Sequence, residues 1–294
     1  MDKPTTKKYN INAKWQIKKE TYTFEVVQND IEERAYSTTS FLVGGTTEKC
    51  VDIVTTTIKP GEYYNMLSAV MSPYIASFNE LNYFKECRIG GDLEKGEGTK
   101  DIIRSAFALV LQKMPHITHF KLTDSSSVLC ESVTISLPVL SLLKYGKTWY
   151  EKHFFASLIS PSKQIYYKDG IDLYNKTTFI DIKAQIPEMA KEYEQFGIPD
   201  KDNGKDVMCN QIWSYAQKTK IGEACMLASL QSTKNMFKRF FKNNDILRAE
   251  WTICASTVDL PSISITEAAH GGNKRRYKKN KKTIYQNWGG ALYE

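Results

Sequence analysis

Alternating apolar and polar positions in the first 60 residues predict a set of β-strands. Three runs rich in β-branched and aromatic residues begin at Tyr22, Ser37 and Cys50. Such side chains pack well on a pleated sheet, where successive residues point to opposite faces. The segment GGTTEK between the second and third runs suits a hairpin connection. We therefore expect a sheet to follow a polar, Lys-rich N-terminal arm at residues 1–21.

The apolar spacing changes to a helical period near residue 100. Thr99 and Asp101 are suited to starting a helix, and Pro115 closes it. The apolar stripe of this helix consists of Ile102, Ile103, Ala106, Phe107, Val110 and Met114. Residues 117–124 then predict a strand, and residues 136–146 predict a second helix. Strands followed by a helix, a strand and another helix indicate an α/β fold with a mixed β-sheet flanked by helices.

The chain changes character after residue 160. Asp169-Gly170 lies between two aromatic-rich runs, which predicts a hairpin with a type I′ turn. Helical patterns follow near residues 186–196, 206–219 and 223–242. The predicted domains are therefore an α/β domain at 22–160, a smaller and mainly helical part with a hairpin at 161–268, and a disordered tail at 269–294.

Composition and charge identify the tail as the basic part of the protein. The 294 residues are 41% hydrophobic and 25% charged, which is typical of a globular protein. Without seven cations of the tail, the 40 basic residues fall to 33 and balance the 33 acidic ones. A basic run of this kind binds polyphosphate without sequence specificity. The predicted nucleic-acid contacts are Lys274, Arg275, Arg276, Lys278, Lys279, Lys281 and Lys282.

Several classes of protein are not expected. No apolar run approaches the length of a membrane span, and MDKPTTKKYN lacks the apolar core of a secretory signal. The six cysteines are scattered without a C-x-x-C pair, so we expect them to be reduced and mostly buried. His116 and His119 lack the further ligands of a metal site, and no metal cofactor is expected.

A glycine-punctuated segment before the first helix is a candidate phosphate site. Glycines let the backbone approach a phosphate, and the N–H groups that begin a helix then hold the anion. The candidate cofactor-binding residues are Lys95, Gly96, Glu97, Gly98, Thr99 and Lys100. The segment is neither a Walker A motif nor a Rossmann fingerprint. A glycine turn that only caps the helix is the alternative interpretation.

The order of parts around this segment resembles the GNAT acyltransferase superfamily over residues 22–160. In that family a Q/R-x-x-G-x-G/A loop opens the helix that binds the coenzyme A pyrophosphate, and Gly96 and Gly98 match its glycines. A later string, F-Y-E-K-x-G-F, contains a Tyr that often protonates the departing thiolate, and residues 149–155 (WYEKHFF) match it. The resemblance therefore implies a GNAT-like fold, acetyl-CoA as cofactor and Tyr150 as a catalytic residue.

The sequence departs from this family at three positions. Leu93 stands where the loop has Gln or Arg, and Glu97 places a negative charge between the glycines. Phe154 replaces the glycine of the later string. Trp149 and Phe154 also suit a packing role, since aromatic side chains fill protein cores. For the general base, Glu131 and Asp124 both remain candidates.

A second resemblance concerns the source of the protein. The strings GDLEKGEGT, HFKLTDSS and YGKTWYEKHF, together with a Gly-Gly-led basic tail, resemble an uncharacterised family encoded by large double-stranded DNA viruses. This resemblance implies the virion or the host cytoplasm, in a viral factory, as the setting. We favour a viral acyltransferase that transfers an acetyl group to an amine acceptor. The alternative is a non-enzymatic virion or nucleic-acid-associated protein, whose body contacts other virion proteins and whose tail contacts nucleic acid.

Overall fold

The computed structural model describes residues 5–17, 20–33, 36–44, 50–58, 74–81, 97–124, 126–130, 133–218, 223–242 and 246–267. These residues form two compact units. The first unit contains the described residues up to Leu122 and those from Thr252 onward, and the second is Thr123–Trp251. The predicted boundary at residue 160 differs from this division and falls inside the second unit.

The first unit is built on a large mixed sheet. The elements are β1 (Thr5–Ile17), β2 (Glu20–Glu32), β3 (Tyr36–Val43), β4 (Val51–Ile58), β5 (Ile75–Leu81), α1 (Glu97–Lys113), β6 (His119–Thr123), β12 (Glu250–Cys254) and β13 (Ser262–Glu267). The strand order in the sheet is β13-β1-β2-β3-β4-β5-β6-β12. Consecutive strands from β1 to β5 are antiparallel, and β13 pairs antiparallel with β1, whereas β5 and β6 are parallel.

Helix α1 forms the core of the first unit with the sheet. The predicted apolar stripe is confirmed, because Ile102, Ile103, Ala106, Phe107 and Val110 are all buried. The Phe107 ring stacks on Phe120 of β6 with 3.7 Å between the ring centroids. Trp15 of β1 is also buried, and its Nε1–H donates a hydrogen bond of 2.9 Å to the Ser105 carbonyl oxygen. The helix therefore joins strands that are far apart in sequence.

Residues 5–17, expected to belong to a loose polar arm, instead form strand β1. The strand pairs with β2 along its whole length, from Thr5↔Glu32 to Ile17↔Glu20. Its buried residues Ile11, Ala13 and Trp15 alternate with exposed polar ones. The neighbours Lys7 and Lys8 are both exposed although they point to opposite faces, so the first half of the strand does not show the period of two that its second half shows.

The second unit is mainly helical. Its elements are β7 (Ser127–Cys130), β8 (Val133–Ser136), α2 (Leu137–Tyr145), α3 (Trp149–Phe154), β9 (Ser157–Leu158), α4 (Pro161–Lys176), α5 (Phe179–Gln185), α6 (Pro187–Glu194), β10 (Lys201–Asp202), β11 (Lys205–Asp206), α7 (Ile212–Ala216), α8 (Glu223–Leu227) and α9 (Gln231–Phe240). Beside β9, the Ile159 N–H donates a hydrogen bond of 3.0 Å to the carbonyl oxygen of Glu250, which begins β12.

The predicted hairpin around Asp169-Gly170 is wrong, because this segment is helix α4. Ser160 caps the helix by accepting a 3.4 Å hydrogen bond from the Lys163 N–H, and Pro161 stands in the first turn. Gly170 does not form a turn but allows residues 240–241 to pack closely against α4. A Cβ at this position would overlap the ring of Phe241 and lie 3.1 Å from the Phe240 carbonyl oxygen.

Two cysteines also differ from expectation. Cys50 and Cys225 are both buried and are each disulfide-bonded, whereas Cys209 and Cys254 are free. The expectation that all cysteines are reduced is therefore wrong for Cys50 and Cys225. Sequence spacing could not show this, because a disulfide needs two Cα atoms within about 7 Å and that distance is set by the fold.

The predicted α/β class, with a large mixed β-sheet flanked by helices, is confirmed by this architecture. In the described part of the chain, no helix is both long and apolar enough to cross a membrane.

Gly170 provides a test of the packing between α4 and residues 240–241. Gly to Ala inside a helix normally raises stability by about 0.5–1 kcal/mol. Here we expect Gly170→Ala to lower the free energy of unfolding by about 1–3 kcal/mol, because the added methyl overpacks a buried site. Urea denaturation measures the change, and Lys168→Ala, at an exposed position of the same helix, serves as the control. A gain in stability for Gly170→Ala would contradict the packing described here.

Candidate functional site

The candidate phosphate segment leads directly into helix α1. The helix begins at Glu97, two residues before the predicted start at Thr99. Gly98 therefore belongs to its first turn, and Thr99 and Lys100 follow as half-buried residues. The N–H groups of a first turn have no partner within the helix, and they lie at the positive end of its dipole. Lys95 and Gly96 lie outside the described residues.

Helix α1 is the crossover between two parallel strands. Strands β5 and β6 pair from Ile75↔His119 to Phe78↔Leu122. A crossover helix runs back along the sheet, so its N-terminus lies toward the carboxyl ends of the strands. Ligands of α/β proteins bind at this edge, where helix N-termini can hold an anion.

Strand β5 changes its pairing at the same edge. Asp52 pairs with Glu80, and the next residue, Ile53, pairs with Phe78, so Asn79 is an extra residue in β5. Such a β-bulge bends the strand and increases its twist. The ladder with β6 ends at Phe78, whereas β5 continues to Leu81 beside β4. These features favour an opening between β5 and β6 beyond Phe78.

The second unit contains a buried carboxylate directly after β6. Asp124 is 2% exposed. Its Oδ1 accepts hydrogen bonds from the Ser126 N–H, at 3.3 Å, and from the Ser126 hydroxyl. Its Oδ2 is buried and has no hydrogen-bond partner among the described residues. Burial raises the pKa of Asp124 to about 6, although both hydrogen bonds from Ser126 act to lower it.

Tyr150 of helix α3 lies near this carboxylate. The side chain is 7% exposed, and its ring contacts Trp149 edge-on with 5.0 Å between centroids. Burial raises the pKa of Tyr150 well above its usual value of 10, and the negative charge of Asp124 raises it further. The Tyr150 hydroxyl is therefore protonated at neutral pH, and burial makes it a weaker acid than a free phenol. The pair combines a proton donor with a carboxylate whose pKa is close to neutral.

The position of Tyr150 depends on how helix α3 begins. Thr148 caps the helix by accepting a 3.3 Å hydrogen bond from the Glu151 N–H. The Tyr167 hydroxyl donates a hydrogen bond to Glu151 Oε2, and the Thr148 N–H donates one of 3.4 Å to the Tyr167 hydroxyl oxygen. These contacts connect α3 to α4 and fix the turn that carries Tyr150.

Helix α3 ends at an unusual residue. Phe155 adopts a left-handed conformation with φ of 54° and is 75% exposed. The preceding residue, Phe154, is 1% exposed, which confirms its predicted packing role. Trp149 is half-buried, so it is only partly a core residue.

The predicted site residues are divided between the two units. Glu97, Gly98, Thr99 and Lys100 belong to the first unit, and Tyr150 belongs to the second. Of the two candidate bases, Asp124 lies close to Tyr150, whereas Glu131 lies outside the described residues.

The seven predicted nucleic-acid contacts, Lys274, Arg275, Arg276, Lys278, Lys279, Lys281 and Lys282, also lie outside the described residues. The clue to Asp124 in the sequence was its position directly after the strand-forming run ITHFKLT. Its burial could not be read from that run.

Comparison of the chain with protein-family models, with curated proteins and with solved structures found no match. Among the described residues, no group of three or more His, Cys, Asp or Glu side chains could hold a metal ion.

The buried carboxylate predicts a pH-dependent stability. The native state binds the Asp124 proton more tightly than the unfolded chain, whose carboxyl has a pKa near 3.8. Stability should therefore fall as the pH rises from about 4 to about 6 and stay level above that, with a total cost of about 3 kcal/mol. We expect Asp124→Asn to remove this cost and to be more stable than the wild type at pH 8, with little difference at pH 4.

Urea denaturation at a series of pH values measures this effect. Asp172→Asn, which changes an exposed carboxylate of α4, is the matched control and should leave the pH profile unchanged. A wild-type profile that is parallel to that of Asp124→Asn from pH 4 to pH 8 would show that Asp124 titrates normally.

Proposed function

We propose that this protein is a GNAT-like acyltransferase that transfers an acetyl group from acetyl-CoA to an amine acceptor. The observation that carries the proposal is the β5–α1–β6 unit, in which a helix that begins at Glu97-Gly98 connects two parallel strands after a series of antiparallel strands. The GNAT resemblance implies this order of parts. An acyl-CoA cleft also requires the two flanking strands to separate, and the bulge at Asn79 favours that separation.

The start of α1 suits the pyrophosphate of the coenzyme. Gly98 lies in the first turn and has no side chain to keep a phosphate from the backbone N–H groups. Lys100 follows in the same turn and adds positive charge. Glu97 is the residue that opposes binding, because a carboxylate beside a pyrophosphate is repelled by it. The proposal therefore requires the Glu97 side chain to turn away from the ligand.

Asp124 and Tyr150 supply complementary proton transfers for this reaction. An ionised Asp124 accepts a proton from the ammonium group of the acceptor, which leaves a neutral amine. The amine nitrogen attacks the thioester carbonyl, so that a C–N bond forms and the C–S bond breaks. Tyr150 donates its proton to the departing thiolate. The nitrogen, which carries an extra proton after the attack, then returns a proton to the Tyr150 oxygen, so that a neutral amide and a neutral thiol are formed. A carboxylate with a pKa of about 6 is ionised at neutral pH, and the buried phenol keeps its proton, so each group starts in the required state.

The third departure from the family, Phe154 in place of glycine, is compatible with the local backbone. The left-handed residue that ends α3 is Phe155, one position later, and Phe154 itself is buried. The missing glycine is therefore not needed at position 154.

Ligand binding tests the coenzyme part of the proposal. Acetyl-CoA should raise the melting temperature, with a stabilisation of about 2.7 kcal/mol at a hundredfold excess over its dissociation constant. Gly98→Val should abolish this shift, because its side chain would occupy the place of the phosphate. Gly204→Val, in the β10–β11 turn where an added Cβ meets no atom within 4 Å, controls for loss of stability alone and should keep the shift. The absence of a shift with any acyl-CoA in the intact protein would refute the proposal.

Turnover tests the role of Tyr150. Tyr150→Phe should lower kcat by about 10²- to 10⁴-fold and leave the acetyl-CoA shift unchanged, because it removes a proton donor and little else. Tyr193→Phe is the matched control, since it removes another buried hydroxyl, which is hydrogen-bonded to Thr233 in a different part of the second unit. That variant should lose about 1–3 kcal/mol of stability but keep its turnover. Normal turnover in Tyr150→Phe would remove this residue from the mechanism.

Disulfide bonding of Cys50 and of Cys225 favours the second candidate function, a virion protein. Disulfides persist at virion surfaces and in other oxidising settings, and they are rare in the cytosol. Cys50 and Cys225 therefore favour a virion setting over the host cytoplasm. Mass spectrometry of the unreduced protein purified from infected cells and from virions distinguishes the two, and thiols at both positions in virions would contradict this assignment.

A further inference from the structure

Helices α2 and α3 present aromatic and basic side chains on one continuous surface of the second unit. We call this surface the α2–α3 patch. Its members are Lys144, Tyr145, Lys147, Trp149, Lys152 and His153. Tyr145 is 42% exposed, Lys147 and Lys152 are exposed, and the other three side chains are half-buried. The combination of aromatic and basic side chains, and not the exposure of any single ring, is the feature of this surface.

Two groups of contacts occur within the patch. Lys152 Nζ of α3 lies over the Tyr145 ring at the end of α2, 3.2 Å from its centroid, and Lys144 Nζ lies 5.2 Å from it. The rings of Trp149 and His153 are 5.0 Å apart and one helical turn apart in sequence. The first group joins α2 to α3, and the second extends along α3 from Lys152 to the next residue, His153, and to Trp149.

The patch keeps a positive charge. Lys147 and Lys152 form no ion pair with any residue that the structure describes. The one acidic residue between positions 144 and 153 is Glu151. Its carboxylate accepts the hydrogen bond from Tyr167 of α4, which holds the negative charge on the opposite side of α3.

We propose that the α2–α3 patch binds single-stranded nucleic acid. Unstacked bases of a single strand stack on exposed aromatic rings, and lysines at intervals contact the phosphates between them. Tyr145 and Trp149 provide the rings, and Lys147 and Lys152 provide the cations. Bases in a duplex are already stacked on one another, so the patch should discriminate against double strands. An acidic peptide would use the cations but would gain little from the rings.

This site is independent of the acyltransferase proposal and of the basic tail. The tail has cations and aromatic residues of its own, among them Tyr277, Tyr285, Trp288 and Tyr293, but it is identical in every patch variant of the full-length protein. A loss of binding on changing the patch therefore reports on the patch alone.

Fluorescence anisotropy with the full-length protein and a labelled oligothymidylate of about 20 nucleotides tests the inference. Tyr145→Leu should weaken binding by about 10-fold without changing the salt dependence, because it removes a stacking ring and no charge. The double variant Lys147→Gln/Lys152→Gln should make the log–log salt slope shallower by about 1.4, at about 0.7 per cation. Lys168→Gln/Lys191→Gln, at exposed positions of α4 and α6, is the matched control and should leave both quantities unchanged.

Three results would overturn the inference. The first is unchanged binding by both patch variants, with thermal melting confirming that they fold. The second is an equal loss of duplex and single-strand binding in Tyr145→Leu, because stacking cannot then be the cause. The third is displacement of the oligonucleotide by micromolar adenosine 3′,5′-bisphosphate or by polyglutamate, which would indicate a mononucleotide or an acidic-peptide site. Failure of acetyl-CoA to bind would leave this inference untouched.

Discussion

The parallel pairing of β5 with β6 is the constraint on which the proposed chemistry depends. Two parallel neighbours cannot be joined by a tight turn, so the chain must cross back over the sheet, here through α1. The crossover buries the apolar stripe of α1 against the sheet. The stacking of Phe107 on Phe120 and the hydrogen bond from Trp15 to the Ser105 carbonyl oxygen belong to the same packed core. It also directs the start of α1, at Glu97 and Gly98, toward the carboxyl ends of the strands. Core packing and a potential anion site therefore have one structural cause.

At Asp124, by contrast, the feature that suits the proposed chemistry lowers the stability of the fold. A buried carboxylate with one oxygen unpartnered among the described residues is costly, and its raised pKa records that cost. Ser126 offsets only part of it, by hydrogen bonds to the other oxygen. An asparagine or an apolar residue would stabilise this position, so the carboxylate is better explained by the proton it can accept than by the fold. Tyr150, held nearby with its proton retained by burial, is consistent with that explanation.

The sequence predicted elements whose own residues carry the pattern and missed those that depend on distant partners. The stripe of α1 and the strands beginning at Ser37 and Cys50 were predictable because side-chain periodicity alone indicates them. Gly170 was misread because Asp-Gly is typical of a turn, whereas its role is to admit the ring of Phe241, 71 positions later in the chain. The disulfides at Cys50 and Cys225 and the burial of Asp124 likewise follow from tertiary proximity. Residues 95–100 and Tyr150 stay predictions of the sequence, whereas the burial of Asp124 and its proximity to Tyr150 are shown only by the fold.

Helix α3 carries residues of both proposed sites on different faces. Tyr150 and Phe154 are four residues apart, which places them on one face of the helix, and both are buried. Trp149, Lys152 and His153 share another face, because they are three and four residues apart, and they contribute to the α2–α3 patch. Glu151 is turned toward Tyr167, so its charge belongs to neither group. Among the described residues, Tyr145, Lys147 and Lys152 make no ring contact with Tyr150, whereas Trp149 contacts it edge-on, so the first three are the positions at which the proposed nucleic-acid surface can be changed separately from the Asp124–Tyr150 pair.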